Sequence, residues 1–427
     1  VSVQEGTKTA LDFVLGGKSG PTGRPVSLAT FLLTTSDYPD EPLFFKLANL
    51  VIHLMNVLLV YFIAKLIFQY IGLHNTQATV ASIVAMALWG VHPINQSAVF
   101  LVVQRMTLLM TFFCLLSTFV FLKYRPALMK PLGFGSLLVV LVIGVLGLLS
   151  LFSKESGVIL PVLLMVIQVT IFSQSKRSAG LNSNQLSPYV NWSMIYIPSI
   201  IVLLAFFYWV TFRTNPDFSN REFNMLERVI TQPRILVDYL AQILMPRLSG
   251  SGLFHDDYVF SRSLLDPLST LFSILALMLL IVIFILKRRV WGIFVFSGLF
   301  FFTAHIIEST FLNLELYFEH RNYLPSVGLA IAAGYGFVKL NKKLRPLLAV
   351  YFVLLVVLGA YNAYSWGGLN RIALSWANEN PTSVRSQVLL ARYWGSVGDY
   401  EKATQAVRNS VSLAPYDGTS HLQLAIH

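Results

Sequence analysis

Residues 305–328, HIIESTFLNLELYFEHRNYLPSVG, set His305, Glu308, Glu315, Glu319, His320 and Arg321 within and beside apolar sequence. Ionisable groups buried there without a function would cost several kcal/mol in desolvation, so they must be paired, wet or used. The Glu319-His320-Arg321 triplet offers a carboxylate, an imidazole and a guanidinium. Those groups suit a phosphate leaving group: the arginine bonds two oxygens at once, and a histidine or carboxylate handles the proton.

Three other short segments carry similar chemistry. In SKESGVILP, Lys154 and Glu155 interrupt two apolar blocks. The lysine can meet a phosphate and the glutamate can orient it or meet a sugar hydroxyl, although a turn whose charges face water is the plainer reading. In GRPVSLATF, Arg24 can hold a phosphate through its planar fork, or simply cap a helix end. In HPINQSAVFLVVQR, His92 ends one apolar run and Arg105 begins the next. A lone histidine there is usually bonded to backbone, whereas an arginine at a membrane boundary needs an anion or water. Taken together, cations at the boundary can hold the phosphate of a lipid whose tail stays in the bilayer. A neighbouring carboxylate or histidine can take the proton of an incoming hydroxyl. The chain has no glycine-rich phosphate loop of the usual spacing.

The elements that must position these groups are membrane helices. Of 427 residues, 55% are hydrophobic and only 12% charged, and mean hydropathy is +0.66. Apolar residues come in blocks at about 46–71, 78–92, 99–122, 132–151, 157–174, 193–212, 267–286, 290–309, 325–340 and 346–366. A bilayer core of ~30 Å needs about 20 such residues, so 78–92 and 325–340 are short. Basic linkers hold Lys123, Arg125 and Lys130, then Lys176 and Arg177, then Lys287, Arg288 and Arg289, then Lys339, Lys342, Lys343 and Arg345. Alternation of the spans puts all four on one side, which the positive-inside rule makes cytoplasmic. The net charge of +11 therefore reads as a topology signal and not as a nucleic-acid surface. The single cysteine, Cys114, permits no intrachain disulfide.

The opposite side receives residues 1–43, the turns at 92–98 and 152–157, the loop 213–265, the segment 310–324 and the tail from 371 to 427. Residues 1–43 read as an outer loop following a helix expected upstream of Val1. Residues 44–212 and 266–370 form the membrane part, and ERVITQPRILVDYLAQIL within 213–265 suits an interfacial helix. In the tail, Leu390, Ala391, Trp394, Gly398, Tyr400, Ala403, Val407 and Pro415 match one tetratricopeptide repeat, with Ser410 where a small residue is usual. One repeat cannot bury its own face, so it must pack on the membrane part, on a partner or on further repeats.

The ordered set GRPVSLATF, FKLANLVIHLMNVLLVY, HPINQSAVFLVVQR, SKESGVILP and YFEHRNYLPSVG, followed by the terminal repeat, resembles the TPR-bearing membrane O-mannosyltransferases and their bacterial relatives over nearly the whole chain. These belong to the GT-C glycosyltransferases. The resemblance implies an all-α polytopic bundle with a TPR helical hairpin, a polyprenyl-phosphate-linked sugar as donor, and a protein hydroxyl as acceptor. It also implies a bacterial inner membrane with the site and tail facing the periplasm. Arg24, Arg105, Lys154 and Arg321 would bind donor phosphate. Glu319 and His320 would be catalytic, and His92, Glu155, His305 and Glu308 would line the site. Two departures matter: Gln96 replaces the acidic residue of the histidine-proline motif, and Asp12 does not sit in the family's aspartate motif. The usual acidic base is therefore expected upstream of Val1. No cofactor is required, a divalent metal is compatible, and the partners are membrane lipid, the lipid-linked donor and a protein acceptor. The competing expectations are a non-catalytic membrane-anchored scaffold and a transporter. A transporter would show repeat symmetry and charges near the midplane and not at one rim.

Overall fold

The computed structural model describes residues 9–17, 20–34, 42–130, 133–172, 186–212, 218, 221–247, 254–287 and 290–415. The expectations placed on Lys176, Arg177, Arg288, Arg289 and the residues after 415 lie outside them. The described residues form helices and loops, with no strand.

Two short helices open the fold, α1 (Ala10–Leu15) and α2 (Pro25–Leu32). Seven helices are long and apolar enough to cross a membrane: α3 (Leu43–Tyr70), α5 (Val102–Lys123), α6 (Phe134–Ser153), α7 (Glu155–Phe172), α8 (Pro188–Tyr208), α10 (Ser269–Lys287) and α13 (Lys342–Ser365). An eighth crossing is possible if α4 (Asn75–Val91) is joined to Pro93–Phe100 across a 56° bend. The chain is a polytopic membrane protein. The apolar runs at 290–309 and 325–340 become α11 (Gly292–His305) and α12 (Ser326–Lys339), each only 14 residues long. At 1.5 Å per residue such helices fall short of a ~30 Å core. Each stops at the buried non-helical segment 306–325, whose backbone is satisfied by protein instead of lipid.

Polar stripes on apolar helices fix how the bundle meets that segment. On α3, Asn49, His53 and Asn56 recur at helical spacing and are all buried. His53 Nδ1 lies 2.7 Å from the Tyr323 hydroxyl, and Asn56 Nδ2 donates to it at 3.3 Å. From α4, Trp89 Nε1 donates to the Tyr323 carbonyl and to Ser326 Oγ. Tyr323 is thereby held two residues beyond Arg321. Small residues allow α4 and α12 to approach closely: a Cβ on Gly334 would collide with the Ala81 carbonyl.

Between α6 and α7 the chain turns on Lys154, which leaves helical geometry at φ −157° and ψ 141°. A Cβ on Gly157 would run into the Ser150 backbone, so glycine lets the first turn of α7 sit on the last turn of α6. This sets the pose of Lys154 and Glu155.

The expected interfacial helix is α9 (Met225–Leu244), opened by a reciprocal cap in which Asn224 and Glu227 bond each other's backbone N–H. Its buried face holds Arg228, Ile235 and Tyr239. The chain ends in α14 (Leu369–Glu379), α15 (Val384–Ser396) and α16 (Tyr400–Leu413). Gly398, at φ +80°, makes the turn between the last two, and Ala391, Ala406 and Val407 fill their contact. Asp256 ties this tail to the 254–260 segment, accepting from Ser383 Oγ at 2.6 Å and from the Arg385 N–H at 3.2 Å.

Candidate active site at one end of the bundle

Glu308 is the centre of the arrangement. It follows the end of α11, where Ser309 N–H still bonds the His305 carbonyl in a last helical turn. Its Oε1 lies 2.6 Å from Lys154 Nζ and accepts from Ser156 Oγ at 2.5 Å, while Oε2 lies 3.4 Å from Arg321 Nε. Three distant stretches of sequence thus meet at one carboxylate. Lys154, Glu308, Glu319, His320 and Arg321 are each only 7–8% exposed. Burial works against the charge on Glu308, but Lys154, Arg321 and the Ser156 hydroxyl outweigh it and hold the carboxyl well below its usual range.

The remaining donors are partly committed. Lys154 also donates to Thr107 Oγ1 at 3.2 Å. Arg321 donates through Nη1 to the Leu316 carbonyl and through Nη2 to the Glu315 carbonyl. The guanidinium is therefore clamped as well as charged, and its fork does not stand wholly free for a phosphate. His320 differs. Its ring stacks on Phe318 with centroids 4.8 Å apart, yet no described residue hydrogen-bonds to it. Burial first, and then the neighbouring Lys154 charge, push its pKa well below the ordinary histidine value. At neutral pH His320 is an uncharged imidazole, so the free site gives it no proton to donate as an imidazolium acid.

Arg24 and Glu155 form the adjoining pair. Arg24 donates through Nε at 3.1 Å and Nη2 at 3.0 Å to the Glu155 carboxylate. Arg24 has φ 55°, an uncommon conformation for a residue with a side chain, and it opens α2 there. Glu319 sits on the other flank, with Oε1 2.6 Å from His255 Nε2. Burial lowers the tendency of His255 to protonate, but Glu319 reverses this and the net shift is upward.

Three residues expected at the site are turned elsewhere. Arg105, expected to bind phosphate, is 1% exposed and spends its donors on Asn49 Oδ1, the Thr30 carbonyl, Thr34 Oγ1 and the Phe45 carbonyl. It joins α2 to α3 and leaves little for a ligand. His92 points Nε2 at the Ile243 carbonyl, 3.0 Å away, and its Nδ1 accepts from the Ile94 N–H. It is the backbone-bonded histidine of the plainer reading. His305 braces the triplet from beneath: Nε2 lies 3.2 Å from Asn322 Oδ1, and the ring stacks on Tyr239.

Sequence reasoning missed Arg228 and His255. Arg228 is fully buried and bonds the carbonyls of Glu308, Thr310, Leu314 and Glu315. One guanidinium therefore fixes the segment that carries Glu308. The signal was available, since an arginine interrupts the buried face of an amphipathic helix. His255 lies in HDDY, a short ionisable run that went unweighed within the long loop.

Glu308 has both oxygens engaged, and among the described residues no group of three His, Cys, Asp or Glu side chains is placed to hold a metal ion. Lys154, Arg321 and Arg24 gather around carboxylates instead, a donor set suited to an anion. The fold and this site define a polytopic membrane protein with a buried ionic cluster at one end of its helices. Compared with known proteins, the chain matches no family model, no curated protein and no solved structure.

Proposed function

We propose that the chain is a glycosyltransferase of GT-C type that moves a sugar from a polyprenyl-phosphate-linked donor to an acceptor hydroxyl on a protein. The observation that carries this reading is His320. It is an almost buried imidazole without a hydrogen-bond partner among the described residues, in a cluster with Lys154, Glu308 and Arg321. A phosphate placed there would meet the remaining N–H donors of Lys154 and Arg321. Its negative charge would also favour a proton on His320, opposing the effect of Lys154.

The bookkeeping of the transfer is short. The acceptor oxygen forms a bond to the anomeric carbon, the bond from that carbon to the phosphate oxygen breaks, and the electron pair leaves with the phosphate. Lys154, Arg321 and His320 stabilise that charge. The hydroxyl proton goes to a carboxylate, and Glu319 is the candidate, with one oxygen steadied by His255. The lipid tail has a place to lie. An apolar groove of about 300 Å³ runs between α4, α12 and α13, lined by Leu88, Leu329, Ala330 and Leu355. Trp89 borders it too, and its indole bonds the Tyr323 carbonyl close to the triplet. The groove and cluster support a periplasmic-facing site in a bacterial inner membrane, and the α15–α16 hairpin supports a tetratricopeptide-like tail beside it.

The test is sugar transfer in membranes containing radiolabelled polyprenyl-phosphate hexose. His320→Ala should lower transfer about 100-fold, the scale of removing one charge-stabilising donor. Its thermal stability should be nearly unchanged, because the ring holds no other described group. Transfer at the wild-type rate by a folded His320→Ala protein would overturn the reading.

A further inference from the structure

A second cavity, of about 580 Å³, lies where the C-terminal helices meet the outer segments. Its size falls within the range of ligand sites. One wall is a single face of α15, with Val384, Val388 and Arg392 at spacings of four residues. The opposite wall is formed by Glu315 and Leu316, on the segment whose carbonyls Arg321 and Arg228 hold. At one end stands His255, the partner of Glu319. Arg392 and Glu222, also lining the cavity, are exposed to solvent. The cavity is thus a passage from the surface to the flank of the proposed transfer site.

We propose that this passage is the acceptor subsite and that it takes an extended polypeptide segment. This rests on the glycosyltransferase reading and names where its acceptor binds. Val384 to Arg392 is eight residues of helix, about 12 Å, which roughly four residues of extended chain would span. The α15 wall supplies the apolar positions Val384, Val388 and Leu389 for side chains. Trp376 also borders the cavity, is 2% exposed, and its indole N–H has no partner among the described residues. A peptide carbonyl would satisfy it. Arg392 and Glu222 bond no described residue, so the outer end offers one charge of each sign to a passing chain.

A sugar chain suits the passage less well. Carbohydrate needs bare aromatic faces, and the aromatic side chains here are already engaged. Phe254 lies 5.8 Å from the Trp376 ring and under the Arg385 guanidinium, 4.5 Å from its centroid. Tyr258 stacks on Tyr317, and Phe223 packs on Phe260. Arg221 and Arg385 are closed on Glu315 at 2.8 and 3.0 Å, which holds the walls together and leaves the floor apolar.

The experiment needs no lipid-linked sugar. Detergent-purified full-length protein is applied to an array of serine- and threonine-containing hexapeptides and to an array of neutral oligosaccharides. Wild type should retain a defined set of hexapeptides. Val388→Trp, which fills the passage, should lower that retention at least 10-fold. Arg392→Glu leaves the burial alone and should shift the retained set away from acidic and toward basic peptides, so a folding failure of Val388→Trp does not end the test. The proposal is overturned if no hexapeptide is retained above a blank, if oligosaccharides are retained instead, or if Arg392→Glu keeps the wild-type set. Peptide retention by a protein that transfers no sugar would sink the glycosyltransferase reading and leave the peptide site standing.

Discussion

Glu308 keeps its charge in a nearly dry setting because Lys154, Arg321 and Ser156 surround it. Removing one partner strands part of that charge. Lys154→Met should therefore destabilise the folded protein by about 3–5 kcal/mol, the cost of breaking a buried pair. Thermal unfolding in detergent measures it. Glu308 is also a pH determinant. Its folded pKa is depressed, so its stabilising contribution is full above the unfolded value of about 4.3 and disappears as pH falls through the folded value. His255 runs the other way. Its folded pKa is raised by Glu319, so its contribution is full below about 6.5 and is lost as pH rises through the folded value. The Tm gap between wild type and His255→Gln should be constant below about pH 6.5 and shrink above it. A gap that widens with rising pH would show that the imidazole is held neutral by its surroundings. Arg321 has become a different kind of target from the one the triplet suggests in sequence. It carries two backbone carbonyls as well as Glu308, so Arg321→Ala should lose stability together with activity, whereas His320→Ala separates the two.

At the scale of elements, Gly157 shows how packing places chemistry. A methyl group there would meet the Ser150 backbone, so Gly157→Ala must move α7 off α6 and carry Lys154 and Glu155 with it. A cost of about 1–3 kcal/mol in thermal stability is expected, with a drop in transfer larger than that loss alone explains. Unchanged stability and transfer would mean that the two helices have slack the packing does not reveal. The ionic motifs of the cluster were legible in the sequence because charge inside apolar runs is conspicuous: Lys154, Glu308 and the Glu319-His320-Arg321 run all meet. What was not legible is direction. Arg105 and Lys154 occupy similar boundary positions in sequence, but Arg105 is captured by Asn49 and by backbone carbonyls around α2, while Lys154 reaches Glu308. Periodicity gives the existence of a helix and not the partner of its terminal side chain. The short helices α11 and α12 were read as fuller spans because their apolar character continues into the non-helical segment between them, which hydropathy cannot distinguish from helix. Arg228 and His255 escaped for a related reason: both act through residues some 50 to 80 positions away, and no local pattern marks such a contact.

For the whole molecule, the account joins a membrane bundle, an ionic cluster at one of its ends and a helical tail over that end. Sidedness follows from the basic linkers and has its own check. Cys114 is buried and should stay silent, so single cysteines can be introduced on either face. Lys402→Cys, in the exposed tail, should react with an impermeant maleimide in intact cells, and Lys343→Cys should not. The reverse pattern would place the cluster in the cytoplasm and remove the periplasmic donor from the account. The central claim is that Lys154, His320 and Arg321 hold the phosphate of a lipid-linked sugar. It is met most directly by native mass spectrometry of protein taken gently from its own membranes. Wild type should carry an adduct that fragments to a polyprenyl phosphate and a hexose, and His320→Ala should carry at least 10-fold less of it while folding normally. Wild type without any polyprenyl phosphate adduct, or an equal load on folded His320→Ala, would contradict the claim.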